Sequence, residues 1–271
     1  MRLRTAMRVE LRKTVTTRMW WILLIVMIVY VAVIAAFIAF SFGVAPETTT
    51  APGAGIPSLD DRTTLLAVYS LGLPLGYVFP VVLGVLAVTT EYRYQTLTPT
   101  FLAEPHRAVV LIAKLIVALV LGLGFGVFGI GSSVAGAAPI VALTDHAVQL
   151  GDSGIWRSLL QACVGMALWA GIGVGIGALV RNQVAAIVAI LAFSQLVEPL
   201  ARLGLNAWSA TRDIAQFLPG AAADAMTGAS LYTVGSPVEM LAWWQGGLVL
   251  AGYAVLFGLF GGWSLVRRDV A

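Results

Sequence analysis

The chain has 271 residues, of which 59% are hydrophobic and only 11% charged, with a mean hydropathy of +0.93. Soluble domains are roughly half apolar and about a quarter charged, so a water-soluble globule is excluded. The net charge of +3 is small; the sequence pI of about 9.2 is explained below by the placement of basic residues, and no basic patch makes a case for nucleic acid.

Residues 1–18, MRLRTAMRVELRKTVTTR, open the chain with six basic residues against one acid, Glu10. Leu3, Met7, Leu11 and Val15 recur every four residues, which makes an apolar stripe on a helix. Arg4, Arg8 and Arg12 form the adjoining column, placed to snorkel to lipid phosphates. An amphipathic helix lying on the cytoplasmic face is predicted. Residues 19–42 then run without a charge. At about 1.5 Å per residue they exceed the ~30 Å hydrocarbon core and form a first span. The run is too long for a signal-peptide core and reads as a retained anchor. Trp20 and Trp21 mark its inner edge.

Gly43 to Thr63, rich in Pro, Gly and Thr and carrying Glu47, Asp60, Asp61 and Arg62, reads as a flexible outer loop. A second span covers about 64–90. Pro74 and Pro80 should kink it, and Gly72, Gly76 and Gly84 leave room for neighbours.

A short polar segment follows, TTEYRYQTLTPTFLAEPHRAVVLIAK over 89–114. Thr98 is the expected N-cap of a small helix and Pro99 its first residue. Ala103 or Glu104 should end it, because Pro105 disfavours a helical residue before it. Pro105 can then open the next helix, with Arg107 and Lys114 near its aqueous end. The product is a short amphipathic element between two spans, with Thr98, Phe101 and Leu102 as a knob for a partner.

The third span covers about 109–140. Gly124, Gly126 and Gly129 match the dinucleotide pattern G-x-G-x-x-G, but no strand precedes them inside this apolar run, and close helix packing is the reading taken. The fourth span, 156–180, alternates Gly171, Gly173, Gly175 and Gly177 to the same effect. Arg181-Asn182-Gln183 is a tight inner turn. The fifth span, 184–203, loses its apolar character at Glu198, Pro199 and Arg202. Glu198 and Arg202 are four apart and can pair on one helix face. Such a pair is either a functional site or an ion pair that fixes helix packing. The semi-apolar stretch from Gly204 to Met240 is broken by Pro219-Gly220; each piece is too short to cross, so two short re-entrant or interfacial helices are predicted. The sixth span covers 241–266, with Trp243 and Trp244 as an outer belt and Arg267-Arg268 as an inner stop.

With the termini inside, Arg2, Arg4, Arg8, Arg12, Lys13, Arg18, Arg93, Arg107, Lys114, Arg181, Arg267 and Arg268 fall on the cytoplasmic side, twelve of the sixteen basic residues. That asymmetry sets the orientation. The fold class is therefore an all-α, six-span membrane protein with a leading amphipathic segment (1–18) before the spanning domain (19–271). The residue usage, rich in Ala, Gly, Val and Arg, points to a high-GC bacterium and its plasma membrane.

Glu91, the Gln95-Thr96-Leu97 step, Ala103, Pro105, Arg107 and Lys114 resemble the first cytoplasmic loop of permeases of the type-2 ATP-binding-cassette (ABC) exporter family. There a Glu follows the second span, then a Gly-Thr-Leu-like step, an Ala-x-Pro-x-Arg turn and a Lys opening the third span. Gln95 stands where Gly is usual. More weakly, the resemblance extends over the whole chain. It implies an elbow helix before the first span, a coupling helix in this loop, and a short helix pair at the outer face between spans five and six. It also implies a permease that docks two separate ABC ATPases and a second copy or a relative of itself. The ATPase-coupling residues it implies are Glu91, Arg93, Thr96, Thr98, Phe101, Leu102, Pro105 and Arg107, with Glu91 and Arg107 fixing the loop against the spans.

The chain offers no nucleotide site of its own. A Walker A loop needs Gly-Lys-Ser/Thr, and the only lysines, Lys13 and Lys114, do not follow a glycine. ATP and Mg would sit on the partner. No metal constellation is visible: His106 and His146 are expected on opposite sides, and the single Cys163 reads as a buried hydrophobe. Nor does any spacing support a catalytic triad. A candidate translocation path is aromatic and weakly polar, formed by Tyr69, Tyr77, Phe79, Phe193, Ser194, Gln195 and Glu198. It suits an amphipathic or hydrophobic cargo such as a drug, antibiotic or lipid. The alternatives are an ion-coupled secondary transporter, which usually shows internal repeats and central charges, and a non-transporting scaffold subunit.

Overall fold

This computed structural model describes residues 3–44, 58–180, 182–207, 211–230 and 240–267. Glu47 and most of the outer loop, Arg181 of the inner turn, residues 231–239 and the Arg268 half of the terminal stop lie outside the described residues. Among those described, helices are joined by short loops and no strand occurs.

Six helical segments are long and apolar enough to cross a membrane: Met19–Gly43, Arg62–Arg93, Arg107–Leu143, Ser153–Leu179, Gln183–Ala207 and Trp243–Ser264. This is the architecture of a multi-pass membrane protein, and each span begins within a few residues of its sequence expectation. The leading helix α1 (Leu3–Val15) turns its apolar stripe away from the bundle. Leu3, Leu11 and Val15 are exposed, while Ala6 and Glu10 are buried against the bundle. The apolar stripe is thus left open to lipid, and the helix docks through its one acid.

The first span α2 (Met19–Gly43) buries Met27, Val31, Ala35 and Ala39 and exposes Val29, Val33, Phe37 and Phe40. Apolarity on all sides suits a helix with bundle on one face and hydrocarbon on the other. The second span breaks into α3 (Arg62–Tyr69), α4 (Gly72–Gly76) and α5 (Val78–Arg93). Pro74 and Pro80 have no N–H for the carbonyls four residues back, and the breaks at Ser70 and Tyr77 follow from that.

Helix α5 ends in a Schellman cap. Thr96 N–H reaches the Glu91 carbonyl and Gln95 N–H the Tyr92 carbonyl, while Gln95 takes φ 55°. That left-handed conformation favours glycine, which is the residue the resembled loop carries there. The small helix α6 (Leu97–Ala103) is capped at Thr96, not Thr98, and the cap makes no side-chain bond. Because the Schellman turn already delivers the chain in position at Thr96, the helix begins earlier and Pro99 falls at its third residue. Nor does Pro105 open α7 (Arg107–Leu143); His106 precedes that helix as its cap.

Helix α7 runs unbroken for 37 residues, roughly 55 Å. It packs on α8 (Ser153–Leu179). Gly173 and Gly177 of α8 lie on the carbonyls of Val81 and Val85, and Gly84 of α5 on that of Ala170. At each a Cβ would strike backbone, so these glycines set the close approach of α5 and α8. In the G-x-G-x-x-G match, Gly126 abuts Cys163 and Gly129 lies against Met27 and Met166, while Gly124 faces open space.

The fifth span is also interrupted. α9 (Gln183–Ala192) passes through a π-helical turn, residues 193–197, into α10 (Glu198–Ala207). The turn's register, Glu198 N–H to the Phe193 carbonyl, would next offer the Ser194 carbonyl an N–H from residue 199. Pro199 has none, and the Tyr77 hydroxyl donates to that carbonyl instead at 3.4 Å. The stretch after the span holds α11 (Arg212–Ala215) and α12 (Pro219–Thr227). Pro219 opens α12, which is buried over nearly its whole length against α8 and α13 (Trp243–Arg267).

One end of the bundle carries α1 and α6. The other carries α12 and a clasp between the start of α3 and the α7–α8 loop. In that clasp Arg62 pairs with Asp152 at 2.7 Å, His146 with Asp60 at 3.2 Å, and the Tyr69 hydroxyl donates to the Val148 carbonyl. His106 sits at the opposite end beside Glu104, so the two histidines are separated as the topology requires.

Candidate functional site

Each end of the bundle holds a buried cluster of charges. At the α1 end, Lys114 is only 3% exposed along its side chain. It does not snorkel to the aqueous end of α7. Its Nζ donates to Glu10 Oε2 at 2.5 Å and to the Ala87 carbonyl at 2.9 Å, with Glu91 Oε1 also 2.9 Å away. Lys13 closes the ring, donating to Glu10 Oε1 and Glu91 Oε1 at 2.7 Å each. Burial alone would lower the Lys13 pKa, but hydrogen bonds and charge from Glu10 and Glu91 outweigh it and hold the ammonium above the ordinary lysine value. Both lysines of the chain are thereby committed to one site that ties α1, α5 and α7 together. Glu91 Oε2 has no partner. A cleft of about 660 Å³ adjoins it, lined by Lys13, Met19, Leu83, Leu86, Arg93, Tyr94 and Gln183 among others.

Beside this ring stands α6. Leu102 is 80% exposed, and Thr98 is exposed as well. Phe101 is half-buried and packs against the patch formed by Val88, Leu111 and Ala118, with the Arg107 guanidinium 5.1 Å above its ring. The expected knob is therefore Leu102 with Thr98, and Phe101 is the root that seats α6 on the spans. Arg93 and Thr96 are exposed at the turn, Pro105 is exposed after α6, and Glu91 is buried in the ring.

At the other end, Glu198 and Arg202 pair at 2.9 Å, as their spacing predicts. The sequence did not disclose the third member. Asp224, on α12, accepts Arg202 Nη1 at 2.8 Å and the Ser230 hydroxyl at 2.8 Å. Glu198 Oε1 is crowded with donors: Arg202 Nη2 and Nε, and the backbone N–H groups of Gly220 and Ala221 at 2.6 and 3.2 Å. Those amides are the first turn of α12, where unpaired N–H groups favour an anion. Gly220 is required here, since a Cβ would run into Glu198 Oε1 and Arg202 Nη2. Glu198 Oε2 has no partner.

A cavity of about 310 Å³ lies against this triad. It brings together Tyr77, Ser194, Gln195 and Glu198 of the candidate path with Leu71, Pro74 and Asp224. It does not include Tyr69, Phe79 or Phe193. Tyr69 is spent on the Val148 carbonyl. Phe79 stands 6.3 Å from the Tyr30 ring, and Phe193 is exposed on the outside of the fifth span. The Tyr77 ring is held by a stack on Trp169, with centroids 4.3 Å apart. Comparison with protein-family models and with curated proteins found no match.

Proposed function

We propose that this chain is the membrane-spanning permease subunit of an ATP-driven exporter of the ABC type, sited in a bacterial plasma membrane with both termini in the cytoplasm. Two copies, or this chain and a relative, would bind two separate ATPases that carry ATP and Mg. Helix α1 serves as the elbow and α6 as the coupling helix. The observation that carries the reading is the pose of α6: a seven-residue helix with its outermost Leu102 80% exposed, rooted through Phe101 and standing next to a buried ion ring that reaches three segments. An apolar tip on a rigidly held base suits a push from a partner domain. The basic residues concentrated at that end support the orientation. The cargo is an amphipathic or hydrophobic molecule such as a drug, antibiotic or lipid, passing by way of Tyr77, Gln195 and Glu198.

A second reading, an ion-coupled secondary transporter, is favoured by the buried Glu198–Arg202–Asp224 triad within reach of a cavity. The variant Leu102→Asp separates the two. Under the permease reading it abolishes copurification of an ABC ATPase and ATP-dependent efflux, while expression and melting temperature stay at wild-type values, because an exposed tip contributes little to its own fold. Full efflux at normal expression refutes the permease reading. Orientation is checked in a Cys163→Ala background: a cysteine at Ser58 is labelled from outside intact cells and one at Thr5 is not.

A further inference from the structure

The cavity beside Glu198 is walled by three irregular places in the fold. Leu71, Pro74 and Tyr77 come from the breaks in the second span, Ser194 and Gln195 from the π-helical turn of the fifth, and Asp224 from α12. Its walls are mostly apolar, and its volume of about 310 Å³ is at the lower end of small-molecule sites. Its one concentrated polar feature is the triad. Arg202 is turned onto the carboxylates through all three of its nitrogens, so its charge faces Glu198 and Asp224. Two carboxylates against one guanidinium sum to a formal −1.

Glu198 is 2% exposed. Four N–H donors, two of them from a guanidinium, converge on its Oε1. Its Oε2 is buried without a donor. A buried carboxylate oxygen left so is costly unless something supplies a hydrogen. Apolar walls, an excess negative charge and an oxygen awaiting a donor specify one class of ligand.

We propose that this cavity binds a small amphipathic cation, a protonated amine on an apolar or aromatic body, with one ammonium N–H given to Glu198 Oε2. The ammonium offers three donors and no acceptor, so it matches the orphan oxygen and cancels the excess charge, while the body lies along Leu71, Pro74 and the Tyr77 ring. The cleft at the α1 end also contains an orphan oxygen, Glu91 Oε2, but two lysines already neutralise its two acids and Arg93 lines the wall, so a cation has no charge to meet there. The role of this site in transport rests on the permease reading; its binding does not.

The test uses the full chain in nanodiscs of zwitterionic lipid, with empty nanodiscs subtracted, and three probes on one naphthalene body: 2-naphthylmethylamine, 2-naphthylmethanol and 2-naphthoate. Equilibrium dialysis should show the amine bound at least ~10-fold more tightly than the alcohol, the loss expected when one charged hydrogen bond is missing, and no binding of the carboxylate. Glu198→Gln should bring amine and alcohol to equal affinity. Gln195→Lys, at an exposed position on the cavity rim, should do the same by charge repulsion without touching the triad. Equal binding of alcohol and amine to the wild type overturns the proposal, as does retained amine preference in a folded Glu198→Gln protein. Should Glu198→Gln fail to fold, retained preference in Gln195→Lys overturns it. Amine binding without ATP-dependent export would keep the site and remove the permease reading; ATP-dependent export with no amine preference would do the reverse.

Discussion

The two charge clusters sit at opposite ends of one bundle and differ in composition and in reach. The ring at the α1 end has two acids and two lysines and joins segments as far apart as Glu10 and Lys114. The triad at the other end has two acids and one arginine and joins α10 to α12. A neutral ring whose members close on one another is a fastener. An unbalanced triad beside a cavity leaves charge for something else. The contrast teaches that burial of ions is not itself a mark of function; the sign left over, and the space next to it, decide.

The largest effect should follow from Lys114→Met. It leaves Glu10 and Glu91 buried with Lys13 alone, and breaking a buried ion network in this way typically costs about 3–5 kcal/mol. Loss of folded protein, or a melting temperature lowered by many degrees, is expected; a change of only a degree or two would show that the ring is not a fastener.

The triad should respond differently. Glu198→Ala leaves Arg202 still paired with Asp224, so its cost should be smaller, about 2–3 kcal/mol. Removing Glu198 and Arg202 together should bring no rescue, because Asp224 then stays buried with only the Ser230 hydroxyl. From the pair alone the double variant would be expected to recover stability. Only a triple variant that also carries Asp224→Asn should do so. Thermal melts of the single, double and triple variants read this directly, and recovery already in the double variant would demote Asp224 to a bystander.

Lys13 gives a pH signature to the ring. Its pKa is raised in the folded state, so its contribution is complete below the unfolded value of about 10.4 and is lost as pH rises through the folded value. Melting temperature should hold steady up to about pH 10 and then fall, and Lys13→Met should shrink that fall. The smallest effect lies just beneath the ring. Gln95 holds φ 55°, which costs a side chain about 1–2 kcal/mol that glycine avoids, less glycine's larger loss of chain entropy. Gln95→Gly should therefore raise stability by roughly 0.5–1 kcal/mol. Destabilisation would mean that the glutamine side chain makes a contact that matters more than the turn.

Much of the fold was legible because its signals are local. The spans announce themselves by apolar length. The breaks in the second span follow from Pro74 and Pro80, and the packing glycines from their alternation at 173, 175 and 177. Glu198 and Arg202 were found by a spacing of four. The rest was hidden by distance along the chain. Asp224 lies beyond a Pro-Gly break in an Ala-rich stretch, where a lone acid carries no periodic signal. Glu10 read as the odd acid of a basic helix, and Lys114 as a residue near the aqueous end of its helix, because nothing local says that residues 104 positions apart touch. The one available hint was scarcity, since the chain has two lysines and both stand next to segments that also carry a glutamate. The apolar stripe of α1 was legible from its spacing, but not that the opposite face is buried on the spans through Glu10.

Helix α7 is one continuous helix whose single internal proline, Pro139, falls in its last turn, whereas the second and fifth spans are each jointed near their middles. That helix carries Lys114 near one tip, and its other tip runs into the loop that grips Asp60 and Arg62. A tilt applied next to α6 would be carried along α7 as far as Pro139, like the swing of a lever. The jointed spans would bend at Pro74 and at the turn before Pro199, which are the walls of the 310 Å³ cavity. The chamber is thus placed between the two hinged spans and α12, and its volume is the quantity that such a bend would change.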